Sequence, residues 1–285
     1  MLNLIKMDLY KMLKLKITWV ILIIAMLFSS LSVFLLHYEI TELSSNTEYQ
    51  QTIEQMQDAP SVGIQVSSPQ AWLQDGYRIP LEDMSQENIA SNILLLLLSI
   101  FTVSFTIGEM KFGFLKSISG QIAKRGGLVI SKLVCLTIYS AVILAFFILS
   151  TAIGTRFFFG YIEIGSFTAL FGLFGLQFVL HTAFAMLIAF VTILIRNSAG
   201  ASVFGICCSL GISTLIASVV TTLIHKMFRT ADKFQLSDYL ISKNVSSISY
   251  NTASADIARA MIVAAVFLIC AVALSALLLK KRDIA

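Results

Sequence analysis

Charge is the first thing this sequence has little of: Asp, Glu, Lys and Arg make up 13% of its 285 residues, about half the share of an ordinary soluble domain. Proline is scarce too. Its three copies, Pro60, Pro69 and Pro80, fall in one segment, so the rest of the chain carries no residue that must break a helix. The three histidines, His37, His181 and His225, are far apart and form no local metal-binding pattern. Cys135, Cys207, Cys208 and Cys270 show no CxxC spacing, and buried structural thiols are the reading. No GxxxxGK[ST], HExxH or GxSxG run occurs. The chain thus offers no phosphate loop, no zincin helix and no nucleophile elbow. It is read as non-catalytic, with no metal and no cofactor of its own.

What is present is apolar. Hydrophobic residues make up 57% and the mean hydropathy is +0.86. A span across the hydrocarbon core of a bilayer needs about 20 apolar residues, and six runs reach that length: Ile17–Leu36, Asn88–Gly108, Leu133–Thr155, Phe167–Ile195, Ala199–Ile224 and Ala260–Leu279. None contains Asp, Glu, Lys or Arg. The expectation is an all-α polytopic membrane protein with six transmembrane helices. The basic start "MLNLIKMDLYKMLKLK" also fits a signal peptide, but the following run has no small-x-small exit before His37. Retention as a span is favoured.

Charge then orients the chain. Six spans put both termini on one side, where 13 basic residues face only Asp8, Glu109 and Asp283, while 7 basic and 13 acidic residues fall on the other. Basic loops stay cytoplasmic, so both termini are expected inside. The net charge of +4 follows from this topology and from contact with anionic lipid. Nothing resembles a nucleic-acid surface.

Residues 1–16 form an amphipathic interfacial helix in this reading, with Leu2, Ile5, Leu9, Met12 and Leu13 on one arc and Lys6, Lys11 and Lys14 opposite. Residues 17–285 form the six-helix membrane domain. An acidic external loop, 37–87, holds Trp72 and Tyr77, candidate cargo contacts or anchors that pack the loop on the membrane. An external segment, 225–259, precedes the last span. The link "RNSAG" is short enough to make spans four and five an antiparallel hairpin, and Gly172, Gly175, Gly205 and Gly211 suggest close helix approach. His181 and Gln177, inside span four, are a candidate pathway site or an interhelical polar pair. With no acidic residue and no proline within the spans, an ion-driven transporter lacks its usual machinery. Energy from outside the membrane domain fits better.

One stretch gathers the remaining charge. "FTVSFTIGEMKFGFLKSISGQIAKRGGLVISK", residues 101–132, carries Glu109, five basic residues and five glycines between two apolar runs. Its charged side chains Glu109, Lys111, Lys116, Lys124 and Arg125 suit charge-assisted contacts to a soluble partner, and Phe112, Phe114, Leu115 and Ile118 suit its grooves. The pattern Glu109, Lys111, Gly113, Ser117 to Gly120, Arg125 and Lys132, with the amphipathic start, six spans and large first external loop, resembles the permease subunits of ABC-2 type bacterial ABC exporters. The resemblance is particularly to those of antimicrobial-peptide resistance, bacteriocin immunity and related peptide-export systems. The resemblance implies a coupling loop, 109–132, in which Glu109, Lys111, Phe112, Gly113, Lys116, Arg125 and Lys132 meet a separate ATP-binding chain. It implies two permease chains, identical or homologous, two ATP-binding subunits that carry ATP and Mg, a location in the bacterial cell membrane, and a peptide or amphipathic cargo. The alternative reading is a membrane immunity or sensory protein that sequesters a peptide without moving it.

Overall fold

A computed structural model describes residues 2–43, 78–111, 126–228, 235–249 and 251–281, and the described residues are helical apart from short connections. The helices are α1 (Leu2–Lys14), α2 (Lys16–Tyr38, prolonged by a π-helical turn, Glu39–Leu43), α3 (Leu81–Ala90), α4 (Ile93–Lys111), α5 (Gly126–Phe158), α6 (Phe167–Ile195), α7 (Ser198–Ser209), α8 (Ile212–Phe228), a 3-10 turn (Leu236–Tyr239), α9 (Ile241–Ser247) and α10 (Ser254–Lys281). Four helices, α2, α5, α6 and α10, are each long and apolar enough to cross a membrane. Two bent pairs, α3 with α4 and α7 with α8, raise the number to six if each pair is one span. This is an all-α architecture of the polytopic membrane type.

The two bends are where the structure departs from six uninterrupted spans. The second run breaks at Ser91 and Asn92, turning the chain by 57° between α3 and α4. Asn92 takes φ 63°, a left-handed conformation that asparagine tolerates better than most residues. The fifth run breaks at Leu210 and Gly211, with a bend of 65° and φ 79° at Gly211, where the missing Cβ removes the steric cost. The absence of proline therefore did not guarantee straight helices. A single polar or glycine residue in left-handed conformation was enough.

Helix α6 is the hub. Two thirds of its apolar window (67%) is buried inside the bundle, against 28% for α10, and it packs against α3, α4, α5, α7, α9 and α10. Its start is fixed from outside the helix. Ser166, the N-cap, accepts from the Ala169 N–H at 3.4 Å, and the Glu82 carboxylate on α3 accepts the N–H groups of Gly165 at 3.2 Å and Ser166 at 2.8 Å. A negative charge at a helix N-terminus is stabilising, and Glu82 is itself 3% exposed. A Cβ on Gly165 would collide with the Glu82 side chain. Glycine is favoured there by the closeness of Glu82 and not by backbone conformation.

Close helix approach is seen at one of the expected glycines between helices. On α7, a Cβ at Gly205 would lie 3.0 Å from Ser99 of α4, whereas Gly172 and Gly175 face open space. Helices α2 and α5 also come close at Gly154, next to Val33 and Ser30. The side chains between them are the more informative, because they are polar.

Candidate functional site

At one end of the bundle, α4 ends at Lys111 and α5 begins at Gly126. Glu109 and Lys111 lie on the last turn of α4; Phe112, Gly113, Lys116 and Arg125 fall outside the described residues, as do Trp72 and Tyr77. Helix α5 takes in residues 126–132 of the expected loop. Lys132 therefore sits on a helix and is 2% exposed, with Nζ 5.0 Å from the Phe105 ring centroid on α4, a cation–π arrangement.

Against this end lies α1. Its buried residues are Asp8 and Met12, so the face turned to the bundle is rotated away from the centre of the apolar arc read in the sequence. The reason is a specific contact: the Ser131 hydroxyl of α5 donates to Asp8 Oδ2 at 2.5 Å, and Asp8 is 1% exposed. Lys11, one turn on, stands 3.9 Å from the other carboxylate oxygen. The α1–α2 corner is locked as well. The Thr18 hydroxyl donates to the Met12 carbonyl at 2.5 Å, and the Trp19 indole N–H donates to the Leu13 carbonyl at 2.9 Å. Tyr139 of α5 donates to the Thr18 carbonyl at 3.2 Å while its ring stacks on Phe101 of α4, with centroids 3.5 Å apart. Helices α1, α2, α4 and α5 are thus joined at the end that carries the charged segment.

A second polar centre joins the middle of α2 to the last third of α5. Ser29 and Thr151 share a hydrogen bond of 2.8 Å, and the Asn88 amide of α3 donates to Thr151 Oγ1 at 3.1 Å and to the Ser29 hydroxyl and carbonyl at 3.3 Å each. Ser150 donates to the Met26 carbonyl at 2.7 Å and contacts the Ser30 hydroxyl at 3.1 Å. Small hydroxyl and amide side chains are a common means of holding apolar helices together where burial in lipid gives no net drive.

The third centre contains the intramembrane histidine. His181 and Gln177 are both fully buried, and the His181 Nδ1 lies 2.7 Å from the Gln177 carbonyl. A carbonyl only accepts, so Nδ1 carries the proton there. The Gln177 amide reaches across to α9, donating to the carbonyls of Val245 at 3.1 Å and Ile248 at 3.4 Å, and the Gln86 amide of α3 donates to the same Ile248 carbonyl at 3.2 Å. Two glutamines from different helices thereby satisfy the free carbonyl end of a short helix. The structure brings His181 and Gln177 together within a structural clamp.

The chain matches no protein-family model and no curated protein. Its chemistry is therefore read from these three centres alone. Among the described residues no group of His, Cys, Asp and Glu could hold a metal ion. Sequence reading missed Asp8, Gln86, Asn88 and Glu82 as organising residues. One signal was available: Asp8 is the one acidic residue among the four lysines of the first 16 residues, an unusual choice for a helix meant only to bind a negatively charged surface.

Proposed function

We propose that this chain is the membrane-spanning permease subunit of an ATP-driven exporter of the ABC-2 type, which moves an antimicrobial or other amphipathic peptide. ATP and Mg bind to a separate ATP-binding chain, two copies of which work with two permeases in the bacterial cell membrane, with both termini of each permease in the cytoplasm. The observation that carries the reading is the docking of α1 on α5 through Asp8 and Ser131, next to the charged segment between α4 and α5. A partner that grips Glu109, Lys111, Phe112, Gly113, Lys116 and Arg125 would pull on α4 and α5 directly. Because α1 and α2 are tied to α5 at Ser131 and Tyr139, that pull reaches the first span as well. An apolar bundle without acidic residues in its six apolar runs needs such an outside source of work.

The test is purification in mild detergent with a candidate ATP-binding chain from the same cell. Co-purification and cargo-stimulated ATP hydrolysis are expected. Both should be lost when Glu109 and Arg125 are reversed in charge together, with membrane insertion unchanged. Cargo bound stoichiometrically by sealed vesicles, with no ATP-dependent flux, would instead make the protein a sequestering one.

A further inference from the structure

The 3-10 turn and the first half of α10 enclose an open groove of about 450 Å³. Its wall on α10 is formed by Ala255, Ala258, Ile262 and Val266, Tyr239 stands on the turn side, and Arg259 lies at the charged end. The two alanines cut a recess into a helix whose neighbouring Ile262 and Val266 are 65% and 52% exposed. Asp256 and Arg259 are the last charged residues before the apolar run 260–279. On a helix that crosses a bilayer, that position is headgroup depth.

Three features of the groove specify a ligand. Its wall is apolar and elongated along a lipid-facing helix, which suits an acyl chain. Arg259 Nη1 lies 3.0 Å from Asp256 and 3.9 Å from Asp238, yet its Nε–H is buried and has no acceptor among the described residues. A buried donor of that kind calls for an oxygen. Among the described residues the charged end holds two carboxylates and one guanidinium, so a ligand carrying a positive group beside that oxygen is favoured over one carrying negative charge alone.

We propose that this groove binds one phospholipid with a protonated amine in its headgroup. The acyl chain lies along Ala255, Ala258, Ile262 and Val266, a phosphate or ester oxygen accepts from Arg259 Nε, and the ammonium faces Asp256 and Asp238. The site depends on α10 crossing a bilayer and not on the exporter reading. A phosphatidylglycerol with the same chains would keep the acyl contact and the oxygen but would bring no second cation to the two carboxylates that share Arg259.

The experiment uses the full chain, delipidated in mild detergent and offered phosphatidylethanolamine or phosphatidylglycerol of identical acyl composition, with bound lipid counted by native mass spectrometry. One phosphatidylethanolamine per chain is expected, retained roughly tenfold better than phosphatidylglycerol, the scale of one charge-assisted contact. Ala258→Phe, which fills the recess, should lower retention of both lipids. Ala255→Leu fills the same recess nearer the helix end and serves if the first variant does not fold. Arg259→Lys, which keeps the charge but removes the Nε donor, should weaken retention of both lipids while leaving the preference between them, and Ile269→Phe, lower on the exposed face, should change nothing. Equal retention of the two lipids, undiminished binding by both filled variants, or a second copy of the chain cross-linked over Ile262 and excluding lipid would overturn the proposal.

Discussion

Glu82 and Gly165 offer a sharp test of how the bundle is assembled. The Glu82 carboxylate accepts two backbone N–H groups at the start of α6, and hydrogen bonds to a charged group contribute about 1.5–3 kcal/mol each. Gly165 and Ser166 are exposed, so water can replace part of what is lost. Glu82→Ala should therefore cost about 2–3 kcal/mol rather than the full sum. Gly165→Ala acts on the same contact from the other side, because its Cβ would overlap the Glu82 carboxylate. In the wild-type background it should cost about 1–2 kcal/mol, the scale of one displaced hydrogen bond. In the Glu82→Ala background the nearest remaining atom is Pro80 Cβ at 3.5 Å, an ordinary contact, so Gly165→Ala should then be nearly neutral. Thermal unfolding in detergent, followed by the loss of the monodisperse peak, measures all four corners of the cycle. A coupling energy of about 1 kcal/mol or more is expected for groups in direct contact. Additive effects would refute the claim that Glu82 closes on Gly165 to cap α6.

Other substitutions test the remaining centres. Asn88→Leu removes the donor to Ser29 and Thr151 and should lower stability by about 1–2 kcal/mol, consistent with interhelical hydrogen bonds in lipid; an unchanged melting temperature would show that this polar centre is incidental. Asp8→Ala should release α1 from α5, read as faster proteolysis or labelling of residues 2–14 while the apolar helices keep their protection; unchanged protection would remove the proposed link. Gly205→Val should wedge α7 from α4 at Ser99 and cost about 1–3 kcal/mol, whereas Gly172→Val, facing open space, should have little effect on the same melt. Gln177→Leu leaves the Val245 carbonyl without its cross-helix donor and should expose α9 to hydrogen exchange, with α6 remaining protected.

The sequence by itself determined the solvent. Six apolar runs without a charge can lie only in a lipid-like environment or a buried core, and four of them are single helices of spanning length. The runs did not fix where each connection ends, since α5 begins at Gly126 and carries the buried Lys132. Tertiary structure decided the rest. The breaks at Asn92 and Gly211 depend on one residue's backbone angle, which hydropathy averaged over a window does not register. Whether Asp8 faces lipid headgroups or the Ser131 hydroxyl, and whether Glu82 is solvated or caps α6, depend on partners 123 and 83–84 residues away in the chain. Hydropathy is a property of one segment and its solvent; a hydrogen bond between helices exists only once both have been placed.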